Sequence, residues 1–507
     1  MAGPDHSHRS RADESGKYQN AKLTPAPKAR LRHAGQLMAT AGPRNARPYD
    51  PRVRGRLSVA KSTLFVAALA ALPSLPARAE PAAGHWEAVA RRDGRSWRFN
   101  VDIPAGKVKS GTVDLLEIAA YGVEFTARAS GKTIHLERKT ASATTAIDGR
   151  IDGARIAGHL SFAGIDAPFS GTRRDAAPPA LVGQDVAFRN GDVTLAGTLI
   201  RPATDGPHPA IVCTHGSGPG DRQFAAYRSE GIYYARLGIA ALIYDRRGSG
   251  KSTGDATTAS MEDLAGDALA GVEFLKAATG INAGAIGVSG VSQGGWIAPL
   301  AASRSKDVAF VVVISASGIN PMDQSIFDVQ NALRRGGYGE AAVEQATALR
   351  KRMYDSVKSG APDPSLAGAI ESAHGEPWFP SSALPYPFPS TPASTGERLF
   401  LLFEPAPMWK SVSVPVLALW GGKDTSVPAA TSREIVESAL QAGHNPDHTL
   451  VLYPNADHGL RIVREKDSAW DFPRSVPGER QFIAEWLREH LPSTRAGSPG
   501  VSEWTPS

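Results

Sequence analysis

The sequence predicts an α/β chain: a mostly parallel sheet covered by helices on both faces, interrupted by a cap insertion and preceded by a small antiparallel β domain. Two observations carry this reading. Between about residues 184 and 492, short continuous Val/Ile/Leu runs alternate with helical patterns, as parallel strands buried on both faces require. Between Gly84 and about Arg174, polar and apolar residues instead alternate in short runs separated by glycine turns, the pattern of a small antiparallel barrel or sandwich.

Length and charge narrow the class. A chain of 507 residues with 42% apolar content suits a globular protein of two or three units. The formal charge of +6 is unevenly spread: residues 1–79 hold 14 of the 56 Lys and Arg but only 4 of the 50 acidic residues. From Glu80 onward the chain therefore has 42 basic and 46 acidic residues, about −4, which gives no support to nucleic-acid binding.

The basic segment has the three parts of a secretory signal. Arg52, Arg54, Arg56 and Lys61 precede apolar Leu64 to Leu72, and Ala77-Arg78-Ala79 marks a cleavage site before Glu80. The apolar core is far short of the roughly 20 residues that span a bilayer, so an exported chain, periplasmic or secreted and without a stable membrane span, is expected. Residues 1 to about 50 are polar and rich in Arg, Pro, Ala and His, and the expected translation start lies near Met38 or close to Val53. Residues 493–507 read as a disordered tail. Cys213 is the only cysteine, so no intrachain disulfide can form.

Strand signals in the first domain include Trp97 to Val101, Thr133 to Leu136, Ala146 to Ile151 and Arg155 to Gly158. Ala176 to Ala180 reads as a linker, and a hairpin follows, joined across Asn190-Gly191-Asp192. Parallel strands are then expected at Ala210 to Thr214, Ala240 to Tyr244, Ala285 to Ser289, Val308 to Ile314, Val416 to Trp420 and Thr449 to Tyr453. Helices are expected over Asp263 to Ala277, Ser432 to Ala442 and Arg480 to His490. Residues of about 318–408 break the alternation with a charged helix, Glu340 to Val357, and a loop dense in proline and aromatics. This block reads as a cap over the C-terminal strand ends. A pocket lined by Trp378, Phe379, Tyr386 or Phe388 would suggest apolar acyl groups, but no spacing rule places those side chains.

Gly290-Val291-Ser292-Gln293-Gly294 lies between a buried-strand pattern and an apolar helix. Glycines two residues either side of a serine let a strand turn sharply into a helix and present the hydroxyl, so Ser292 is the candidate nucleophile. Gly250-Lys251-Ser252-Thr253-Gly254 matches the same pattern but runs into polar residues and reads as a solvated loop. A serine nucleophile needs a base and a carboxylate to orient that base. Asp424 follows the fifth parallel strand and His458 the sixth, in the chain order Ser, Asp, His.

His208, His374, His444 and His448 compete less well by position. His215-Gly216-Ser217 follows the first parallel strand and can bring a backbone amide over the elbow. The amides of Ser217 and Gln293 are therefore the candidate oxyanion donors, with His215 supporting the turn. Cys213 precedes this turn as a small core residue. Gly248 to Thr253 ends like a phosphate-binding loop, but Asp245 stands where that pattern requires glycine.

Taken together, His215 to Arg222, Tyr244 to Gly250, Gly290 to Gly295, Gly421 to Asp424 and Asp457-His458-Gly459 resemble the α/β-hydrolases. Within them the chain is similar to bacterial esterases related to dienelactone hydrolases and to acyl-CoA thioesterase or acyltransferase domains. The resemblance spans about residues 184–492 and implies an α/β-hydrolase fold, and similar bacterial proteins carry a small β domain ahead of it. Dienelactone hydrolases have cysteine at the elbow where this chain has Ser292, so that activity is not implied.

The expected activity is ester hydrolysis by Ser292, His458 and Asp424, with a small-molecule ester as substrate and no metal or organic cofactor. A peptidase of related fold would need a group to grip a peptide terminus, and none is identifiable in this sequence. A CoA thioesterase or acyltransferase conflicts with export, and an inert binding scaffold conflicts with an intact triad.

Overall fold

The computed structural model describes residues 82–106, 108–140, 143–162, 165–361, 363–389, 393–462 and 474–491. The expected export segment and the expected tail lie outside these residues.

Period-two patterning closes the first eight strands on themselves: β1 (Gly84–Arg92), β2 (Arg95–Ile103), β3 (Ser110–Leu115), β4 (Ala120–Ser130), β5 (Thr133–Lys139), β6 (Thr144–Asp152), β7 (Arg155–Phe162) and β8 (Ile165–Arg174). Each pairs antiparallel with the next, and β8 returns to β1 in the register His85↔Arg174, so the domain is a closed barrel. Alternate residues Trp86, Ala88 and Ala90 of β1 and Trp97, Phe99 and Val101 of β2 turn inward. Phe125, Leu136, Ile147 and Ile156 join them, and the interior is a packed core.

The second sheet opens with the hairpin β9 (Leu181–Asn190) and β10 (Val193–Pro202), in register Val193↔Asn190 across a two-residue turn at Gly191-Asp192. It continues with β11 (His208–Thr214), α1 (Ala225–Arg236), β12 (Ala240–Tyr244), α2 (Met261–Ala277), β13 (Ile281–Val291), α3 (Gly294–Arg304) and β14 (Phe310–Ile314). After the cap come β15 (Val416–Gly421), α9 (Ala429–Ala442) and β16 (His448–Tyr453). The strand order is β16-β15-β14-β13-β11-β12-β10-β9; β9, β10 and β12 pair antiparallel in turn and the rest run parallel. A short pair, β17 (Arg461–Ile462) and β18 (Arg474–Ser475), precedes the final α10 (Glu479–His490).

Helix ends differ from the periodicity for local reasons. Helix α2 begins two residues before the expected Asp263 because Ser260 caps it, its hydroxyl taking the Asp263 amide while the Asp263 carboxylate takes the Ser260 amide. Helix α9 starts right after Pro428.

The cap holds α4 (Pro321–Arg335), α5 (Glu340–Ser359), α6 (Leu366–Ala373), α7 (Thr395–Leu401) and α8 (Pro405–Lys410). Helix α5 runs two residues past the expected Val357 and stops where Gly360 adopts φ +69°. The chain expected to be a proline-rich loop builds a core of its own, in which Trp378, Phe379 and Leu384 pack with Leu333, Leu366 and Ile370. Arg350 sits inside it, donating to Ser325 Oγ and to the Ser382 and Ala383 carbonyls. The last cap helix rejoins the main body: Met408 and Trp409 of α8 pack in the sheet core with Trp296 and Trp420.

The barrel and the sheet meet along α1. The Tyr121 amide donates to Ser229 Oγ, Arg236 pairs with the buried Asp114, and the Tyr121 and Tyr233 rings lie 5.5 Å apart.

Candidate active site

Strand β13 ends at Val291 and α3 begins at Gly294, so Ser292 and Gln293 make the whole turn. Ser292 has φ +57°, a left-handed conformation that costs a side-chain-bearing residue about 1–2 kcal/mol and must be held by its surroundings. Its amide donates to the Ile314 carbonyl at 2.9 Å, and its carbonyl accepts the Gly295 amide at 2.8 Å. The flanking glycines are required by close approach. A Cβ on Gly290 would sit 2.2 Å from the Gly294 carbonyl oxygen, and one on Gly294 would sit 2.7 Å from Thr214 Oγ1. A Cβ on Gly295 would meet Ala316 Cα at 2.5 Å. The motif thus lets α3 settle onto the ends of β11 and β14.

Asp424 and His458 come together from the loops after β15 and β16. His458 Nδ1 and Asp424 Oδ2 are 2.7 Å apart, which places a proton on Nδ1 donating to the carboxylate and leaves Nε2 as a base. Asp424 Oδ1 accepts the Ser426 and Val427 amides at 2.8 and 2.9 Å, so both carboxylate oxygens are engaged. The Asp424 side chain is fully buried, while that of His458 keeps about a third of its surface exposed. Burial works to lower the His458 pKa. The hydrogen bond and charge of Asp424, with the charges of Asp457 and Asp328, outweigh that and raise it above its ordinary 6.5. His458 is also pinned through its backbone: Ser315, itself at φ +53° just past β14, donates its hydroxyl to the His458 carbonyl at 2.8 Å.

The loop after β11 lies against the elbow, since a Cβ built on Gly216 would come within 3.6 Å of Ser292 Cβ. Its Gly216 amide donates to Tyr227 Oη at 3.2 Å. The Ser217 and Gln293 amides donate to no acceptor among the described residues.

Of the four consecutive residues from the end of β12, Tyr244 to Arg247, the first three hold this loop in place. The Tyr244 carbonyl accepts His215 Nε2, and Arg246 donates to the Gly216 and Gly218 carbonyls, each at 3.1 Å. Asp245 accepts the Arg222 amide and guanidinium in a buried ion pair, and Arg247 bonds both oxygens of Asp267 at 2.7 Å. Burial drives the His215 pKa down to about 4, so His215 is neutral and serves as a turn support, as its position suggested.

The second Gly-x-Ser-x-Gly match is a loop, anchored more firmly than a solvated one. Ser252 Oγ donates to the Asp245 carbonyl at 2.6 Å and accepts the Ala196 amide at 2.9 Å. The phosphate-loop look-alike is closed by its own aspartate, because Asp245 takes the Lys251 amide and lies 2.4 Å from where a Gly250 Cβ would be. Cys213 is buried in β11, and burial pushes its thiol pKa up, leaving it neutral. His208 and His448 hydrogen-bond to nearby carbonyls, and His374 stacks on Tyr386 at 3.5 Å.

The structure places the cap aromatics that the sequence left open. Trp378 and Phe379 are buried in the cap core, and Tyr386 covers His374 at the surface. Sequence reasoning did not assign roles to Tyr227, Arg246, Ser315 and Ser426. Arg246 alone stood in a recognised motif, and Ser315 reaches the His458 carbonyl 143 residues along the chain, where no local pattern marks it. Among the described residues no group of three or more His, Cys, Asp and Glu side chains could hold a metal ion, and no helix is long and apolar enough to cross a membrane.

Comparison with known proteins bears on this arrangement. Esterase EstD of Thermotoga maritima is 25% identical over 310 residues, covering 60% of this chain and 67% of that protein. A Yersinia pestis protein provisionally assigned as a carboxymethylenebutenolidase is 34% identical over 101 residues, 19% of this chain, and the match spans only 34% of that protein's length. A Pyrococcus furiosus esterase structure aligns with 62% of this chain and 92% of its own, at 19% identity and a TM-score of 0.39. Residues 211–468, about half of the chain and including the elbow with both the Asp424 and His458 loops, match the alpha/beta hydrolase family. The resemblance in the motifs is therefore borne out, and the chain belongs to the alpha/beta hydrolase family as an enzyme of the hydrolase class.

Proposed function

We propose that this enzyme cleaves carboxylic esters through an acyl-enzyme intermediate on Ser292. The observation that carries the reading is the Asp424–His458 hydrogen bond, with His458 tied through Ser315 to the strand end whose Ile314 carbonyl takes the amide of the strained, glycine-flanked Ser292. His458 Nε2 takes the Ser292 hydroxyl proton as Oγ attacks the acyl carbon. Negative charge on the carbonyl oxygen is met by the Ser217 and Gln293 amides, neither of which donates to an acceptor among the described residues. His458 then protonates the leaving alcohol, and a water deprotonated by the same nitrogen releases the acid. Asp424 keeps His458 in the Nδ1–H tautomer throughout. The esterase named among the relatives supports ester over amide or thioester substrates.

Ser292→Ala is expected to abolish turnover of aryl esters with unfolding behaviour unchanged, and a fluorophosphonate should label wild-type Ser292 one to one. Turnover persisting in that variant would overturn the assignment. Parallel assays on aminoacyl anilides and acyl-CoA separate the peptidase and thioesterase readings, and an aryl ester series of rising chain length reads the acyl pocket.

We also infer export, on the tripartite segment ending at Ala79. The supporting result is Glu80 as the N-terminus of protein recovered outside the cytoplasm. Recovery of an uncleaved cytoplasmic chain would overturn it.

A further inference from the structure

Gln324, Asp328 and Asn331 lie at positions i, i+4 and i+7 of α4, on one face of the helix. Polar residues at that spacing ordinarily face water. Here all three hydrogen-bond to the two residues that follow Asp424. Gln324 Nε2 donates to the Ser426 carbonyl at 3.3 Å, Ser426 Oγ donates to Asp328 Oδ1 at 3.0 Å, and Asn331 Nδ2 donates to the Thr425 carbonyl at 3.1 Å.

The loop they grip does more than connect β15 to α9. Its Ser426 and Val427 amides are the ligands of Asp424 Oδ1, and Asp424 Oδ2 holds His458. A shift of Ser426 by a fraction of an ångström therefore moves the carboxylate that orients the base. The helix doing the gripping is itself fixed, with Asn320 capping its first turn and Arg350 of α5 bonding its Ser325 hydroxyl at 2.6 Å. The row of contacts thus runs from the cap core through the half-buried Thr425 and Ser426 to the orienting carboxylate.

We propose that Gln324, Asp328 and Asn331 are positioning residues for the reaction: the cap holds the Asp424 loop, and through it His458, in register with Ser292. This rests on the reading of Ser292, Asp424 and His458 as the catalytic set. The cap is then part of the machinery and not only a wall of the substrate pocket. Asp328 has a second effect through its charge. The charged groups acting on His458 are Asp424 and Asp457 from the strand-end loops and Asp328 from the cap, and each favours the imidazolium.

The test measures kcat and KM for an aryl ester from about pH 5 to 9 in the full chain, with active serines counted by fluorophosphonate. The Gln324→Ala/Asn331→Ala double variant is expected to lose about tenfold or more in kcat with KM little changed, the signature of lost positioning. Asp328→Ala should lower kcat and move the acidic limb of kcat/KM to lower pH. Asp328→Asn keeps an acceptor for Ser426 Oγ and should recover most of that kcat while leaving the limb displaced.

Wild-type kcat and an unmoved limb in all three variants, with Ser292→Ala inactive, would overturn the proposal and leave the triad standing. Activity surviving in Ser292→Ala would instead remove the triad reading. If the double variant fails to unfold cooperatively, the limb in Asp328→Asn decides alone.

Discussion

The amide of Tyr121 in the barrel donates to the Ser229 hydroxyl on α1 at 2.8 Å, and that hydroxyl donates onward to the Ala119 carbonyl at 3.2 Å. The same helix presents Tyr227 to the Gly216 amide beside the elbow. One helix thus joins the barrel to the loop that carries the proposed oxyanion donor. Ser229→Ala would leave the Tyr121 amide buried and unpaired, a loss of about 1–3 kcal/mol. Urea unfolding should show a lower midpoint, and an unchanged midpoint would mean that the Arg236–Asp114 pair and the ring contacts carry the junction without it.

The pair Arg222–Asp245 is buried on both sides, with side chains 5% and 1% exposed, so neither charge has water to fall back on. Removing one partner strands the other, and Asp245→Ala is expected to cost about 3–5 kcal/mol. Asp245 also precedes Arg246, which holds the Gly216 and Gly218 carbonyls, so activity should fall further than stability alone explains. Denaturant unfolding alongside kcat, both on the same preparation, checks the two effects.

The raised His458 pKa sets a pH dependence of known sign. Ester hydrolysis needs a bare Nε2, so kcat/KM rises with pH through that pKa and is lost on acidification through it. Stability runs the other way. Folding favours the imidazolium, so this group stabilises fully below its unfolded value of 6.5, and the contribution fades as pH rises through the folded pKa. Asp424→Asn removes both the hydrogen bond to carboxylate and its charge, which should move the activity limb to lower pH and reduce kcat by about 10⁴. A pH–rate profile on the variant reads both, and a limb that stays in place would contradict the assignment.

Much of this was legible without coordinates because it depends on neighbours in the chain. The Val/Ile/Leu runs placed every parallel strand to within a few residues, since burial on both faces leaves a continuous apolar signal. The elbow was legible because close approach at Gly290 and Gly294 admits no side chain, so the pattern survives as spacing. The Asp424 and His458 positions followed from lying just past strands whose order was readable. Helix starts were read late at α2 and α9, where a Ser260–Asp263 box and Pro428 set the boundary ahead of the first apolar repeat.

What the sequence by itself determined was the class of fold, the turn at Ser292 and the order of its candidate partners, all consequences of local spacing and hydrophobic period. Only the tertiary structure decided what supports them. The closing of the barrel, the burial of Trp378 and Phe379 in the cap, the grip of Arg246 on the loop before the elbow and the row of α4 contacts on Ser426 and Thr425 join residues far apart in the chain. Such contacts arise from how packed elements meet in space, and a single sequence carries no period or spacing that records them.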